Sequence, residues 1–84
     1  MTTTDLDALV YADLRRCARE PREYNAPTAA TIGDDLLLRG AQVVLPSLRR
    51  IKRRKGVVIE VGTTREFGRR AYTYRLLSGP EVLP

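Results

Sequence analysis

Histidine is absent from this 84-residue chain, and cysteine occurs once, as Cys17. These two side chains supply most zinc ligands and many of the general bases and nucleophiles of enzymes. A single cysteine also cannot form an internal disulfide, which is typical of a protein from a reducing compartment. We therefore expect no catalytic residue, no metal site and no cofactor. The expected function is binding and not catalysis.

Long apolar runs are missing as well. No stretch reaches the roughly 18 apolar residues that a membrane-spanning helix needs, and the first residues lack the charged and then apolar pattern of a secretion signal. We expect a cytoplasmic protein without membrane contact. A chain of 84 residues has room for one small core, since a domain of this size buries only about 60 to 65% of its unfolded surface. We predict one domain over residues 1–84.

Acidic residues are scarce in the second half of the chain. Residues 1–38 carry four basic and seven acidic side chains, whereas residues 39–84 carry eleven basic and three acidic ones. Seven basic residues fall within 39–55, where there is no Asp or Glu. Crowded like charges repel one another, and a bound polyanion would remove that repulsion and release counterions. We favour nucleic-acid contact over the alternative of a merely solvated cationic face.

Apolar positions at three- and four-residue steps predict a first helix over about residues 5–19, with Thr4 at its start. Asp7 is expected to face water. The core-facing positions are Leu6, Leu9, Val10, Leu14 and Cys17. Pro21 ends this helix.

Thr28 is a plausible N-cap for a second helix over residues 29–38. Its inward positions are Ala29, Ile32 and Leu36, with Leu37 as a further candidate, and Gly40 ends it.

The third helix is predicted over residues 43–55, which places Pro46 in its first turn, where proline is tolerated. On a helical wheel the apolar positions Ala41, Val44, Leu48 and Ile51 share a narrow sector. The opposite sector holds Gln42, Pro46, Arg49, Arg50 and Arg53. One face can enter a core and the other is cationic.

Gly56 ends the third helix, and alternating apolar residues then predict a β-hairpin over about residues 57–77. Its strands cover 57–61 and 72–76, joined by a long loop over 62–70. Phe67 in that loop either folds back as a core plug or protrudes as a tip. Residues 78–84 are predicted to form a tail.

Three helices, a basic third helix and a hairpin resemble the winged helix-turn-helix superfamily. The resemblance is carried mainly by residues 48–58, similar to the end of a recognition helix that runs into a first wing strand, and by residues 70–76 as the second strand. It implies an α+β fold with a three-helix winged helix-turn-helix and a C-terminal hairpin wing. It also implies a third helix in the DNA major groove and a wing on the backbone or minor groove.

By position, the resemblance assigns DNA-contacting residues on all three parts of the module. Thr28 would hold a phosphate at a helix N-terminus, and Arg65, Arg69 and Arg70 would be the wing contacts. The third helix would contribute Gln42, Ser47, Arg49, Arg50, Arg53 and Arg54.

These patterns predict sequence-specific binding of double-stranded DNA, by a small transcriptional regulator or a phage-type repressor or excisionase. A homodimer or cooperative assembly on DNA is expected, because one such module offers a small interface. No small-molecule effector is expected in so short a chain. The alternative is a winged-helix adaptor that binds other proteins without touching DNA directly.

Overall fold

The structure is a computed structural model that describes residues 2–20, 26–38 and 41–83. Three helices precede an antiparallel hairpin, so the expected α+β layout is confirmed. The elements are α1 (Thr3–Arg19), α2 (Ala29–Asp35), α3 (Ala41–Lys52), β1 (Val58–Glu66) and β2 (Arg69–Ser78). Pro21 and Gly40, which were expected to end helices, and the side chain of Ala41 lie outside the described residues.

Helix α1 begins two residues earlier than the sequence suggested. Thr2 is the N-cap, and its hydroxyl accepts a hydrogen bond from the Asp5 backbone N–H at 3.1 Å while the Asp5 carboxylate accepts one from the Thr2 N–H at 3.1 Å. The pairs Thr2/Asp5 and Thr4/Asp7 have the same capping-box spacing. The second pair was the wrong choice, because Asp7 is used inside the protein.

The buried face of α1 is rotated from the predicted one. Asp7, Val10, Tyr11 and Leu14 are buried, whereas Leu9 is exposed. Asp13 is buried as well, and the other four lie at positions i, i+3, i+4 and i+7, which is the spacing of one helical face. The expectation that Asp7 faces water is therefore wrong, and Val10 and Leu14 are the predicted core positions that the structure confirms as fully buried.

Helix α2 ends at Asp35, three residues short of the prediction. Leu37 takes a positive φ of 57° and is 93% exposed, so its predicted inward position is wrong. The N–H of Leu38 donates to the Gly33 carbonyl at 2.8 Å, the pattern that closes a helix around a left-handed residue. Thr28 is the N-cap as predicted, and Ala29 and Ile32 are buried.

Helix α3 begins at Ala41 and includes Pro46 as its sixth residue, so proline lies deeper than predicted. It ends at Lys52 and is followed by a turn, in which the N–H of Arg54 donates to the Ile51 carbonyl. Gly56 has a φ of 85° and leads the chain into β1, but α3 has already ended at Lys52, so the predicted helix end at residue 55 with Gly56 as the stop is wrong. The apolar face is confirmed, with Val44, Leu48 and Ile51 buried.

The hairpin differs most from the prediction, because its strands continue through the expected loop. Only Phe67 and Gly68 form the turn, with φ of 52° and 75°. Positive φ at both central residues is the tight-hairpin geometry whose twist matches the strands. The predicted loop over 62–70 is therefore wrong. Phe67 is 98% exposed, so it protrudes and is not a core plug.

The hairpin and the tail are both attached to the helices. The N–H of Tyr74 donates to the Pro27 carbonyl at 2.9 Å, and Thr28 forms a bridge with Thr73, so β2 is paired on both edges near the start of α2. The predicted tail packs on α1. The Tyr11 hydroxyl and the Arg15 guanidinium both donate to the Pro80 carbonyl, and Leu83 contacts the core.

Candidate nucleic-acid interface

One side of α3 is open to solvent and carries cations. Gln42, Pro46, Arg49 and Arg53 are all exposed and follow one another at steps of four, three and four residues, so they form one stripe along the helix surface. We call these four residues the α3 stripe. Among the described residues, neither Arg49 nor Arg53 is paired with a carboxylate. The stripe is therefore available for an anionic partner.

Ser47 and Arg50 do not belong to this exposed surface. Ser47 is 0% exposed and its hydroxyl donates to Asp7 Oδ1 at 2.6 Å. The Arg50 guanidinium donates to both carboxylate oxygens of Asp7, at 2.7 Å from Nη2 to Oδ1 and 3.0 Å from Nε to Oδ2. The expectation that Ser47 faces DNA is wrong. Arg50 is held internally, because neighbouring residues of a helix point about 100° apart and cannot both share the stripe.

Asp7 is the centre of this internal arrangement. Burial opposes its ionisation, but the hydrogen bonds from Arg50 and Ser47 and the positive charges of Arg50 and Arg54 outweigh burial, so the pKa of Asp7 falls below its ordinary value. The same contact raises the pKa of Arg50. Arg54, which was predicted to contact DNA, is half-buried, and its positive charge contributes to the lowered pKa of Asp7. The α1–α3 contact is thus ionic at neutral pH.

Thr28 is occupied by another part of the chain. Its hydroxyl accepts from the Thr31 N–H at 3.2 Å and donates to Glu66 Oε2 at 2.7 Å. The Glu66 carboxylate therefore lies at the start of α2, where the sequence predicted a bound phosphate. Thr28 is a structural residue here, and it joins α2 to the end of β1.

Strand pairing separates the hairpin arginines into two groups. Residues that lie opposite one another share a face of the sheet, and the faces alternate along each strand. Arg65 lies opposite Arg70, on the same face as the pairs Thr63/Tyr72, Val61/Tyr74 and Ile59/Leu76. We call this the inner hairpin face, because Ile59 and Leu76 are buried in the core. Arg69 and Arg75 alternate onto the outer face, so the three predicted wing arginines do not act as one group.

One residue of the inner hairpin face responds to the charge of the α3 stripe. Burial raises the pKa of Tyr74, and the positive charge of Arg49 lowers it in part. Tyr72 and Arg70 follow Tyr74 outward on the same face and are exposed. Arg49 and Arg53 on α3 and Arg65 and Arg70 on the hairpin are thus exposed cations on two different elements of the module.

Two further cations lie near the end of α3. Lys52 and Lys55 are exposed and have no carboxylate partner among the residues that the structure describes. Both belong to the basic run of the sequence, but neither was predicted to contact DNA. Lys55 lies in the turn after α3 and lines a shallow pocket with Val57, Pro80 and Leu83.

A separate cluster on α1 and α2 resembles a metal site in composition only. Asp13, Cys17 and Asp35 bring their ligand atoms within 4.8 Å of one another. The Arg16 Nη2 already lies among them, at 2.8 Å from Asp13 Oδ1, 2.9 Å from Asp35 Oδ2 and 3.7 Å from Cys17 Sγ. Burial and the nearby Asp35 carboxylate raise the pKa of Asp13. A guanidinium fills the position that a metal ion would need.

Comparisons with protein-family models, with curated proteins and with solved structures find no match to this chain. Within the described part of the chain, none of the helices has the length and apolar character that crossing a bilayer requires. Function must therefore be argued from the surface formed by α3 and the hairpin.

Proposed function

We propose that this protein is a winged helix-turn-helix module that binds double-stranded DNA, with α3 in the major groove and the hairpin as the wing. The element order supports this proposal, and so does the attachment of β2 to residues 27 and 28 just before α2. In this arrangement the α3 stripe would contact bases and phosphates. Arg65 and Arg70 would contact the backbone or the adjacent minor groove.

The observation that carries the proposal is the contrast between paired and unpaired cations. Arg16 contacts the carboxylates of Asp13, Glu20 and Asp35, and Arg19 lies 3.9 Å from Glu81. Arg50 is bound to Asp7. Exposed cations without a described carboxylate partner lie instead on α3 and on the inner hairpin face, namely Arg49, Lys52, Arg53, Lys55, Arg65 and Arg70. Arg69 and Arg75 are on the outer face, where they lie opposite Glu66 and Glu60. Such a surface is suited to a phosphate backbone.

The biological role that fits this module is a small transcriptional regulator, or a phage-type repressor or excisionase. A single recognition helix and wing bury a small interface, which leaves affinity modest unless two copies bind neighbouring half-sites. We therefore propose a homodimer or cooperative assembly on DNA.

The test is selection of bound sequences from a random duplex pool, followed by binding measurements on variants. Arg49→Ala and Arg53→Ala should each cost about 1 to 3 kcal/mol of binding free energy where the side chain contacts a base, and should relax preference at one position of the site. Arg70→Ala should weaken all sequences similarly. Arg75→Ala is the matched control, because it removes the same charge from the same strand on the outer face.

Two results would contradict the proposal. One is a pool that shows no enrichment together with no measurable duplex binding at low salt, which would favour the protein-adaptor alternative. The other is a loss of binding affinity for Arg75→Ala equal to that of the three interface variants, since DNA binding would then depend only on the total charge of the protein.

A further inference from the structure

Phe67 is the most exposed aromatic side chain that the structure describes, and it stands at the hairpin tip. It is 98% exposed and has a φ of 52°. A bulky residue rarely adopts this left-handed conformation, in which glycine and asparagine are favoured. Both features work against stability in the free protein: an apolar ring is left in water and the turn holds an unsuitable residue. Such local conflicts concentrate at functional positions.

The tip is held in place. Glu66, the residue before Phe67, accepts a hydrogen bond from the Thr28 hydroxyl at 2.7 Å, which ties the end of β1 to the start of α2. Phe67 and Gly68 are the whole turn, so no loose loop separates the ring from the strands. The backbone that carries the aromatic ring is therefore attached to the start of α2, which limits the ordering that binding must supply.

The surroundings of the ring indicate an anionic partner. Arg65 and Arg70 lie directly opposite one another on the two strands, and Arg69 follows the turn on the other face, opposite Glu66. Like charges in directly opposite positions destabilise a hairpin in the absence of a ligand. Phosphates on both sides of a narrow groove would relieve this repulsion, and arginine is favoured where the minor groove narrows.

We infer that Phe67 is a wedge that enters the minor groove, inserts between two stacked base pairs and bends the duplex. The inference rests on the proposed function, since α3 and the remaining hairpin residues must first hold the DNA. Apolar side chains inserted at a base step kink DNA toward the major groove, and pyrimidine–purine steps such as TpA unstack most readily. The protein would then shape DNA as well as recognise it.

An anionic membrane surface fits these residues less well. Burying one phenyl ring accounts for only about ten- to a hundredfold in affinity. Peripheral membrane proteins instead use a broad apolar face or a second anchor. A wedge in DNA needs only one ring, because the other contacts supply the binding.

The experiment uses a duplex of about 30 base pairs with central TpA steps, in which 2-aminopurine replaces the adenine of one step and a fluorescence donor and acceptor label the ends. Wild type at low salt should raise 2-aminopurine fluorescence and shorten the end-to-end distance. Phe67→Asn should produce neither change and should bind within about tenfold of wild type, because the cost of unstacking the base step offsets most of the gain from burying the ring. Asparagine suits the left-handed turn, so this variant keeps the hairpin. Phe67→Leu, which keeps an apolar side chain, should retain part of both signals.

Equal fluorescence and distance changes in wild type and Phe67→Asn would overturn the inference and leave the proposed function standing. So would wild-type binding without either change. Absence of duplex binding by wild type would instead overturn the proposed function, and the wedge with it. Loss of both signals in Phe67→Asn with recovery in Phe67→Leu is the result expected of a wedge.

Discussion

At the scale of single residues, one buried carboxylate decides which arginines are available. Asp7 binds Ser47 and Arg50 from α3 and so fixes the rotation of α3 against α1. With Arg50 turned inward, its neighbour Arg49 must point outward beside Tyr74. The ion pair between Asp7 and Arg50 therefore determines that Arg49 is one of the exposed cations of the proposed interface.

Asp7→Asn should lower the free energy of unfolding at neutral pH by about 1 to 2 kcal/mol. The side chain of Arg50 is 37% exposed, and solvent screening keeps the loss at this modest level. The pKa of Asp7 is lower in the folded chain than its ordinary value of 3.8. Its contribution is thus fully present above that value and is lost as the pH falls through the folded-state pKa.

Urea unfolding of wild type and Asp7→Asn across the pH range measures this contribution. The free energies of unfolding of the two proteins should differ at neutral pH and become equal in acid. Asp34→Asn is the matched control, because Asp34 is exposed on α2 and should change stability little. A difference between wild type and Asp7→Asn that persists unchanged in acid would contradict an ionic role for Asp7.

Part of this residue-scale account was accessible from the sequence. The basic run over 39–55 and the exposure of Arg49 and Arg53 follow from composition and helical spacing alone. The internal role of Arg50 did not, because its partner lies 43 positions away on another helix and no local pattern links them. The positions 7, 10, 11 and 14 do share a helical face, and that spacing could have revealed Asp7 as inward-facing.

At the scale of elements, α3 and the hairpin each contain a residue that is unfavourable for its conformation. Pro46 lies in the interior of α3, where it cannot donate to the Gln42 carbonyl. Phe67 occupies a left-handed turn position. Because of these two residues, the sequence predicted the start of α3 two residues too late and predicted a long loop where the structure has a two-residue turn. In both cases tertiary packing overrode the local preference. Val44 and Leu48, which flank Pro46 in the sequence, are buried in the core, and the cross-strand pairs of the hairpin continue to the turn.

Pro46→Ala should stabilise the protein by about 1 to 2 kcal/mol. Alanine restores the missing donor and removes the ring clash, a gain of up to about 3 kcal/mol in a helix interior, partly offset by greater freedom of the unfolded chain. Thermal unfolding followed by circular dichroism measures the effect. Gln42→Ala, another exposed α3 position, is the control and should change stability far less; a fall in melting temperature for Pro46→Ala would show that proline is needed where it stands.

At the scale of the whole molecule, the charges of the two halves of the chain differ in sign. The C-terminal segment packs on α1 and the core. Arg16 and Arg19 of α1 lie beside carboxylates, whereas Arg49, Lys52 and Arg53 of α3 are left toward solvent. The composition of the two halves predicted this asymmetry. Docking of residues 79–83 on α1 was not predicted, because contacts between chain ends leave no periodic signal.

Gly79→Ala should destabilise the protein by about 1 to 3 kcal/mol, because the added Cβ would collide with the Tyr11 hydroxyl. Adding Tyr11→Phe removes the hydroxyl and should recover part of the loss, which a double-mutant cycle by denaturant unfolding can measure. Ser78→Ala, at an exposed neighbouring position, is the control. Additive losses in the double variant would contradict direct packing of Gly79 on Tyr11.

The central claim is that unpaired cations of α3 and the inner hairpin face hold a phosphate backbone, and the salt dependence of duplex binding tests it most directly. With about five to eight phosphate contacts, log affinity should fall with log salt at a slope of roughly −4 to −7. Arg49→Ala combined with Arg53→Ala should flatten the slope by about two, and Arg75→Ala should leave it nearly unchanged. A wild-type slope near zero, or one that the double substitution does not alter, would contradict the account.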